Sequence, residues 1–325
     1  MRKTNRAEAN EAIALRILKS AVITGPTGAI GTALCRFLLN RGVGVYAVVR
    51  PDSRRQTALP VSERLRIVLC DGAELSGLAE RIPGGADAFF HLAWANTTGA
   101  GRNDMSAQID NIRWTLDAVH AAADMGCRVF VGAGSQAEYG RSDAPLRADT
   151  PCFPETGYGM AKLCAGQMSR MECACLGLDH IWMRILSVYG PGDSETSLIS
   201  MTIRKLLAGE RPALTAGEQM WDYLYADDAA EALYLAAIHG RNGAVYPLGG
   251  GKARPLREYA EILRDAVSPG SALGFGETPY SLQQVMFLQA NIDALRDDTG
   301  FQPRIPFEEG IQRTITYIKE LRHVG

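Results

Sequence analysis

Residues 24–31, TGPTGAIG, constrain this chain more than any other segment. Glycines fall at 25, 28 and 31, directly after an apolar run at 20–24. A segment with helical spacing follows at 30–41, with Leu34, Phe37 and Leu38 on one face. A glycine turn between strand and helix lets backbone N–H groups approach a pyrophosphate, and the helix N-terminus favours its negative charge. Gly25, Thr27, Gly28, Ala29, Ile30 and Gly31 are therefore candidate cofactor-binding residues. A glycine triplet alone reads equally well as an empty turn; the flanking strand and helix favour the nucleotide.

The same alternation continues. Strand-like runs at 43–49, 65–69, 88–93, 127–132 and 180–186 are interleaved with helical patterns at 105–126 and 158–176. This rhythm predicts an α/β fold with a Rossmann-type parallel sheet and crossover helices. Beyond residue 192 the rhythm weakens into short helices at 196–209, 226–239 and 255–267, a surface loop at 269–281 and a terminal helix at 307–321. Ile311, Ile315 and Ile318 lie near one face of that last helix. The expected organisation is a Rossmann domain over 20–192 and a smaller mixed α/β substrate lobe over 193–325, with the chain crossing between them. An extension at 1–19 precedes both, with a short-helix pattern at 5–18.

A formal net charge of -2 gives no reason to expect a nucleic acid or an anionic membrane as partner. The basic N-terminus carries no apolar core long enough for a signal peptide or a membrane span. Seven dispersed cysteines without a CxxC pair suit a reducing, cytoplasmic setting, and no metal site is expected.

The end of the second strand bears on cofactor choice. NAD sites present an acid there for the ribose hydroxyls. Here VVRPDSRR places Arg50 at that position, with Arg54 and Arg55 following. Guanidinium groups suit a 2′-phosphate, so NADP(H) is favoured. NAD(H) is the alternative if Asp52 turns inward, and a solvated basic loop is the bland reading. Asp71, with Gly72 beside it, is either an acceptor for the adenine amino group or a helix cap. Leu92, Ala93 and Trp94 close the fourth strand beside the same crevice, where a small Ala93 leaves room for a cofactor. His91 reads as a structural hydrogen-bonding residue.

The chemistry lies in GAGSQAEYG, residues 132–140, and YGMAK, residues 158–162. Tyr158 and Lys162, four apart, share a helical face. A nearby ammonium favours phenolate, which exchanges a proton with a substrate hydroxyl or carbonyl while hydride moves to or from nicotinamide. Ser135 orients that oxygen and stabilises its changing charge. A YxxxK pair by itself arises by chance on helix surfaces; its place after a glycine turn and five alternating strands favours catalysis. Tyr139 reads as a packing residue.

Several separated motifs resemble, in order, the extended short-chain dehydrogenase/reductase superfamily, in its nucleotide-sugar epimerase, dehydratase and reductase branch. TGPTGAIG is similar to TGxxGxxG, RILSVYGPGD to RxxNVYGPG, WDYLYADDAA to RDYIHVxDxA, and GFQPRIPFEEGI to GWxPxxxLEEGI. The resemblance covers nearly all of residues 20–321. It implies Ser135, Tyr158 and Lys162 as the catalytic set, with Asn111 as the asparagine supporting the lysine and a relay water. It also implies a homodimer. The 4,6-dehydratases of the branch carry Asp-Glu after the catalytic Ser or Thr; here Gln136 and Ala137 stand there, which disfavours dehydration. Ser187 replaces the usual Asn and Trp221 the usual Arg near the sugar-nucleotide diphosphate. Gln136, Ala137, Ser187 and Trp221 are nevertheless candidate substrate residues, with Trp94, Thr97 and Ser135. The segment 91–104 resembles CDP-linked 4-ketohexose reductases of the abequose-synthase type. The expectation is therefore NADPH-driven reduction of a nucleotide-linked, CDP included, 4-keto sugar. The alternatives are an NAD-dependent nucleotide-sugar 4-epimerase and a non-catalytic nucleotide-binding protein.

Overall fold

The computed structural model describes residues 17–324, with side chains through 321, so nearly all of the helical pattern at 5–18 lies outside the described residues. Seven parallel strands form the main sheet: β1 (Ser20–Thr24), β2 (Gly44–Val49), β3 (Leu65–Leu69), β4 (Ala88–His91), β5 (Val129–Ser135), β6 (Asp179–Ile185) and β11 (Ala244–Leu248). Their order is β11-β6-β5-β4-β1-β2-β3. The order reverses direction between β1 and β4, so the carboxyl ends open a crevice there, where α/β sheets bind ligands.

The crossovers are α1 (Ala29–Asn40), the short α2 (Leu78–Arg81), α3 (Met105–Asp124) and α4 (Gly157–Leu176). Leu34 and Leu38 of α1 are wholly buried, while Phe37 packs against Tyr234 at 5.4 Å between ring centroids. β5 is longer than its apolar run: it continues through Gly132 to Ser135, so the serine ends the strand rather than following it.

A smaller mixed region follows, holding α5 (Leu198–Leu207) and α7 (Leu256–Val267). β7 (Ser187–Tyr189) pairs in parallel with β10 (Tyr223–Tyr225), while β9 (Met220–Trp221) takes β12 (Arg254–Pro255) antiparallel and β14 (Phe287–Leu288) parallel. Strands β8 (Ala213–Leu214) and β13 (Gly274–Phe275) pair inside this region, the latter within the expected loop at 269–281. Two late elements rejoin the first layer: α6 (Ala226–His239) shares a buried cluster with α1, and β11 extends the main sheet. The helix α8 (Asp293–Thr299) follows, and α9 (Phe307–Val324) buries Ile311, Ile315 and Ile318 against Tyr189, Tyr225 and Tyr259.

Candidate functional site

The glycine turn is built by two distinct constraints. Gly25 has φ 69°, and a Cβ there would lie 2.8 Å from the Ala93 nitrogen. A Cβ on Gly31 would lie 2.2 Å from the Gly25 carbonyl oxygen. Both glycines are demanded by the chain itself. Gly28 is different. It sits in extended backbone before α1, with nothing nearer to its Cβ position than the Gly25 carbonyl at 3.7 Å. Nothing in the fold requires glycine there, so the open space fits a ligand approaching the backbone. Thr27, Ala29 and Ile30 are half-buried around it, and Leu92 and Ala93 line the facing end of β4.

The basic loop after β2 is not a preformed phosphate clamp. Arg50 and Arg54 are exposed, and Arg50 faces Asp52 at 3.8 Å. Arg55 reaches across to donate to the Gly192 carbonyl. Asp71 caps the following turn by accepting from the Ala73 N–H at 3.2 Å, and Gly72 packs under the Trp114 ring. His91 is buried between the hydroxyls of Thr24 (2.9 Å) and Thr115 (3.3 Å). Burial and the Lys162 charge push it down to about 3, which keeps it neutral.

Ser135, Tyr158 and Lys162 come together at the carboxyl end of β5. The Ser135 hydroxyl accepts from the Ala137 N–H at 3.1 Å. Thr156 caps α4, which presents Tyr158 in its first turn. Packing around the Tyr158 phenol pushes it up; a Ser135 hydrogen bond and the Arg102 cation pull it down, and Glu138 pushes it up. Lys162 is buried, donates to the Ala133 carbonyl, and lies 3.7 Å from the Trp94 ring centroid but 5.9 Å from that of Tyr158. Burial pulls its ammonium down to about 7, against the opposing pull of Glu138.

Trp94 thus stands beside both residues, edge-on to Tyr158 at 6.1 Å. Its indole N–H donates to Gln108 at 2.9 Å. Asn111 spends its side-chain amide on the backbone: it accepts from the Ala95 N–H at 2.8 Å and donates to the Ala95 and Ala107 carbonyls. It fastens the loop after β4 rather than touching Lys162. Thr97 is exposed on that loop.

Beneath Ser135 two charged residues 46 positions apart, Glu138 and Arg184, meet in an ion pair that their spacing does not announce. Glu138 is fully buried; it accepts from the Ser135 N–H (2.7 Å), the Trp182 indole (3.0 Å) and Arg184 (2.7 Å). Gln136 is half-buried and Ala137 buried. Tyr139 packs under Arg184 and donates to the Arg147 carbonyl, as a packing residue would. On the far side of the crevice Trp221 and Ser187 are joined by a hydrogen bond of 2.7 Å. Asp222, next in the chain, is buried and accepts from the N–H groups of Gly250, Gly251 and Ala290. The WDY segment marked its position but not this anchoring role.

The profile of the NAD dependent epimerase/dehydratase family matches residues 21–249. The chain belongs to that family. It is similar to a UDP-glucuronate 4-epimerase of Thermodesulfobacterium geofontis, 26% identical over 92% of this chain and 96% of the relative. Among solved structures it resembles the dTDP-glucose 4,6-dehydratase of Streptomyces venezuelae with NAD bound (TM-score 0.82, 24% identity, 94% of this chain and 98% of that one). It also resembles the UDP-glucose 4-epimerase of Thermus thermophilus in complex with NAD (TM-score 0.81, 20% identity, 92% and 99% covered).

These findings correct two expectations. NADP(H) does not stand: the family is NAD dependent, and both solved relatives hold NAD. The physical reason is visible in the loop, where Arg50 is exposed beside Asp52 and Arg55 is engaged by Gly192. NADPH-driven ketoreduction falls with it, because these relatives are 4-epimerases and a 4,6-dehydratase. The likeness of residues 91–104 to CDP-linked reductases finds no support among them. Among the described residues there is no group of three His, Cys, Asp or Glu side chains placed to hold a metal ion, and no helix long and apolar enough to cross a membrane.

Proposed function

We propose that this family member is an NAD-dependent nucleotide-sugar 4-epimerase. The observation that carries the reading is the state of the carboxylates at Ser135. Gln136 and Ala137 supply no acid, and Glu138, the nearest one, is sealed in its ion pair with Arg184. Water elimination lacks its acid and base, whereas proton exchange at a carbinol needs only Ser135 and Tyr158.

Gly25, Thr27, Gly28, Ala29, Ile30 and Gly31 would hold the pyrophosphate of NAD, with Leu92, Ala93 and Trp94 facing it across the crevice. Bound NAD supplies reversible hydride chemistry. Tyr158 takes the proton of the sugar 4-hydroxyl during oxidation and returns it when the ketone is reduced on its opposite face. Ser135 donates to the reacting oxygen as its charge changes. Ser187, Trp221 and Gln136 contact the sugar nucleotide, whose base is uracil or thymine by analogy with the relatives. Apolar side chains exposed on α3 and α4, Ile109, Met160, Met168 and Met171, support a homodimer through this face.

The test is incubation of the purified protein with UDP-, dTDP- and CDP-linked sugars, followed by product stereochemistry and mass. Inversion at C4 without net cofactor consumption, abolished in Tyr158→Phe, is expected. Loss of one water from the product, or stoichiometric oxidation of NADPH, would overturn the reading. Equilibrium sedimentation of Met171→Glu tests the dimer: wild type sediments as a dimer and the variant as a monomer.

A further inference from the structure

Tyr158 has a second cation against it. The turn at Gly99–Asn103 carries Arg102, whose guanidinium carbon lies 4.7 Å from the Tyr158 ring centroid. Arg102 has no carboxylate within ion-pair distance among the described residues, and its Nε is buried without a hydrogen-bond partner. A half-buried guanidinium that gives up hydration without a counter-charge is costly unless another anion forms beside it. The group it faces that can become an anion is the Tyr158 phenol.

The turn is fixed for this contact. The Asn103 side chain accepts from the Gly157 N–H at 3.0 Å, at the start of α4. Gly157 permits the approach, since a Cβ there would lie 3.1 Å from the Arg102 carbonyl oxygen. From the other side Gln108 donates to the carbonyls of Asn96 (3.1 Å) and Gly101 (3.2 Å) while accepting from Trp94. One buried glutamine therefore sets the positions of both the Trp94 edge and the Arg102 turn relative to the phenol.

We propose that Arg102 is a positioning residue for Tyr158, holding a positive charge against its ring so that the phenolate can form. This rests on Tyr158 being the proton-transfer group of the proposed epimerase. The division of labour follows from placement: Lys162 spends its ammonium on Ala133 and the Trp94 ring, whereas Arg102 lies on the phenol directly. The groups acting on Tyr158 are then Ser135 at the end of β5, Glu138 in the turn beyond it, Lys162 on α4 itself, and Arg102. Arg102 and Ser135 favour the phenolate and Glu138 opposes it. Arginine keeps its charge across the whole working pH range, which a buried lysine does not.

Ultraviolet difference titration of tyrosine ionisation tests this without substrate or turnover. The chain has eleven tyrosines, so the Tyr158 component is isolated by subtracting the Tyr158→Phe titration, in the background of each Arg102 variant. In Arg102→Met the Tyr158 midpoint is expected to rise by about one pH unit or more, the scale of an opposite charge removed at this range. Arg102→Lys should restore most of the shift, and it keeps the test standing if the Met variant fails to fold. The acidic limb of the kcat/KM profile should move upward with the midpoint. An unmoved midpoint in Arg102→Met, or a Lys variant displaced as far as the Met variant, would overturn the proposal. Because the titration involves no sugar, a failure of the epimerase reading leaves its outcome intact.

Discussion

The indole N–H of Trp221 donates to the Ser187 hydroxyl across 2.7 Å. These are the two positions at which the chain departs from the Arg and Asn of its family resemblance, and the fold joins them. The Trp221 carbonyl also accepts from Tyr259 at 3.0 Å, so the residue is held from both ends. A neutral hydrogen-bonded pair thus stands where a cation is expected.

If the pair acts as a unit on the sugar nucleotide, Trp221→Phe and Ser187→Ala should each raise KM by about fivefold, the effect of one hydrogen bond of ~1 kcal/mol. kcat should be nearly unchanged. The double variant should be scarcely worse than either single, and a steady-state double-mutant cycle measures that coupling.

The glycine turn separates ligand demand from chain demand. Gly28→Ala should fold normally, since its Cβ meets only ordinary contact. It should weaken NAD binding by about tenfold or more, as a methyl crowds a close approach. Gly31→Ala should lower thermal stability and soluble yield, because its Cβ collides with backbone of the same turn. Calorimetric titration with NAD, alongside thermal melts, distinguishes the two.

Lys162 titrates at about 7 in the folded protein, below its ordinary 10.5. The unfolded chain then binds more protons between these values, and stability rises with pH across that window. The destabilisation by Lys162 is full below about pH 7 and fades towards 10.5. Lys162→Met, although inactive, should be more stable than wild type at about pH 6, by on the order of a few kcal/mol, with the gap closing by about pH 10. Urea denaturation across that range reads the difference.

Breaking the buried Glu138–Arg184 pair should be severe. Glu138→Gln leaves Arg184 without its counter-charge and should cost about 3–5 kcal/mol, measured by urea denaturation. It should also reduce kcat, since the Glu138 carboxylate holds the Ser135 N–H. Replacing both partners with apolar residues, Glu138→Leu with Arg184→Met, should recover part of the stability without recovering kcat.

Local patterns made much of the fold legible. The alternation of strand and helix up to β6 is a repeat of short-range periodicities, and these survived with shifts of a few residues at most ends. β5 ran on to Ser135 because Gly132, Ala133 and Gly134 are small enough for a buried strand, although their composition reads as a turn. A crossing back to the first layer was expected, but no local pattern says that α6 and β11 make it. The cofactor reading failed for a similar reason. Arginine at position 50 is informative only if its side chain faces the crevice, and the loop exposes it beside Asp52 while Gly192 draws Arg55 across.

The glycine turn, the parallel α/β scaffold and the four-residue spacing that puts Tyr158 and Lys162 on one helical face are all written in the amino-acid order. Each depends on backbone geometry within a few residues. What surrounds that pair came from long-range packing. It sealed Glu138 against Arg184 from another strand, set Trp94 beside Lys162, and laid Arg102 on the phenol. Electrostatic environment is a property of groups brought together from distant parts of the chain, so it becomes readable only when the fold has closed.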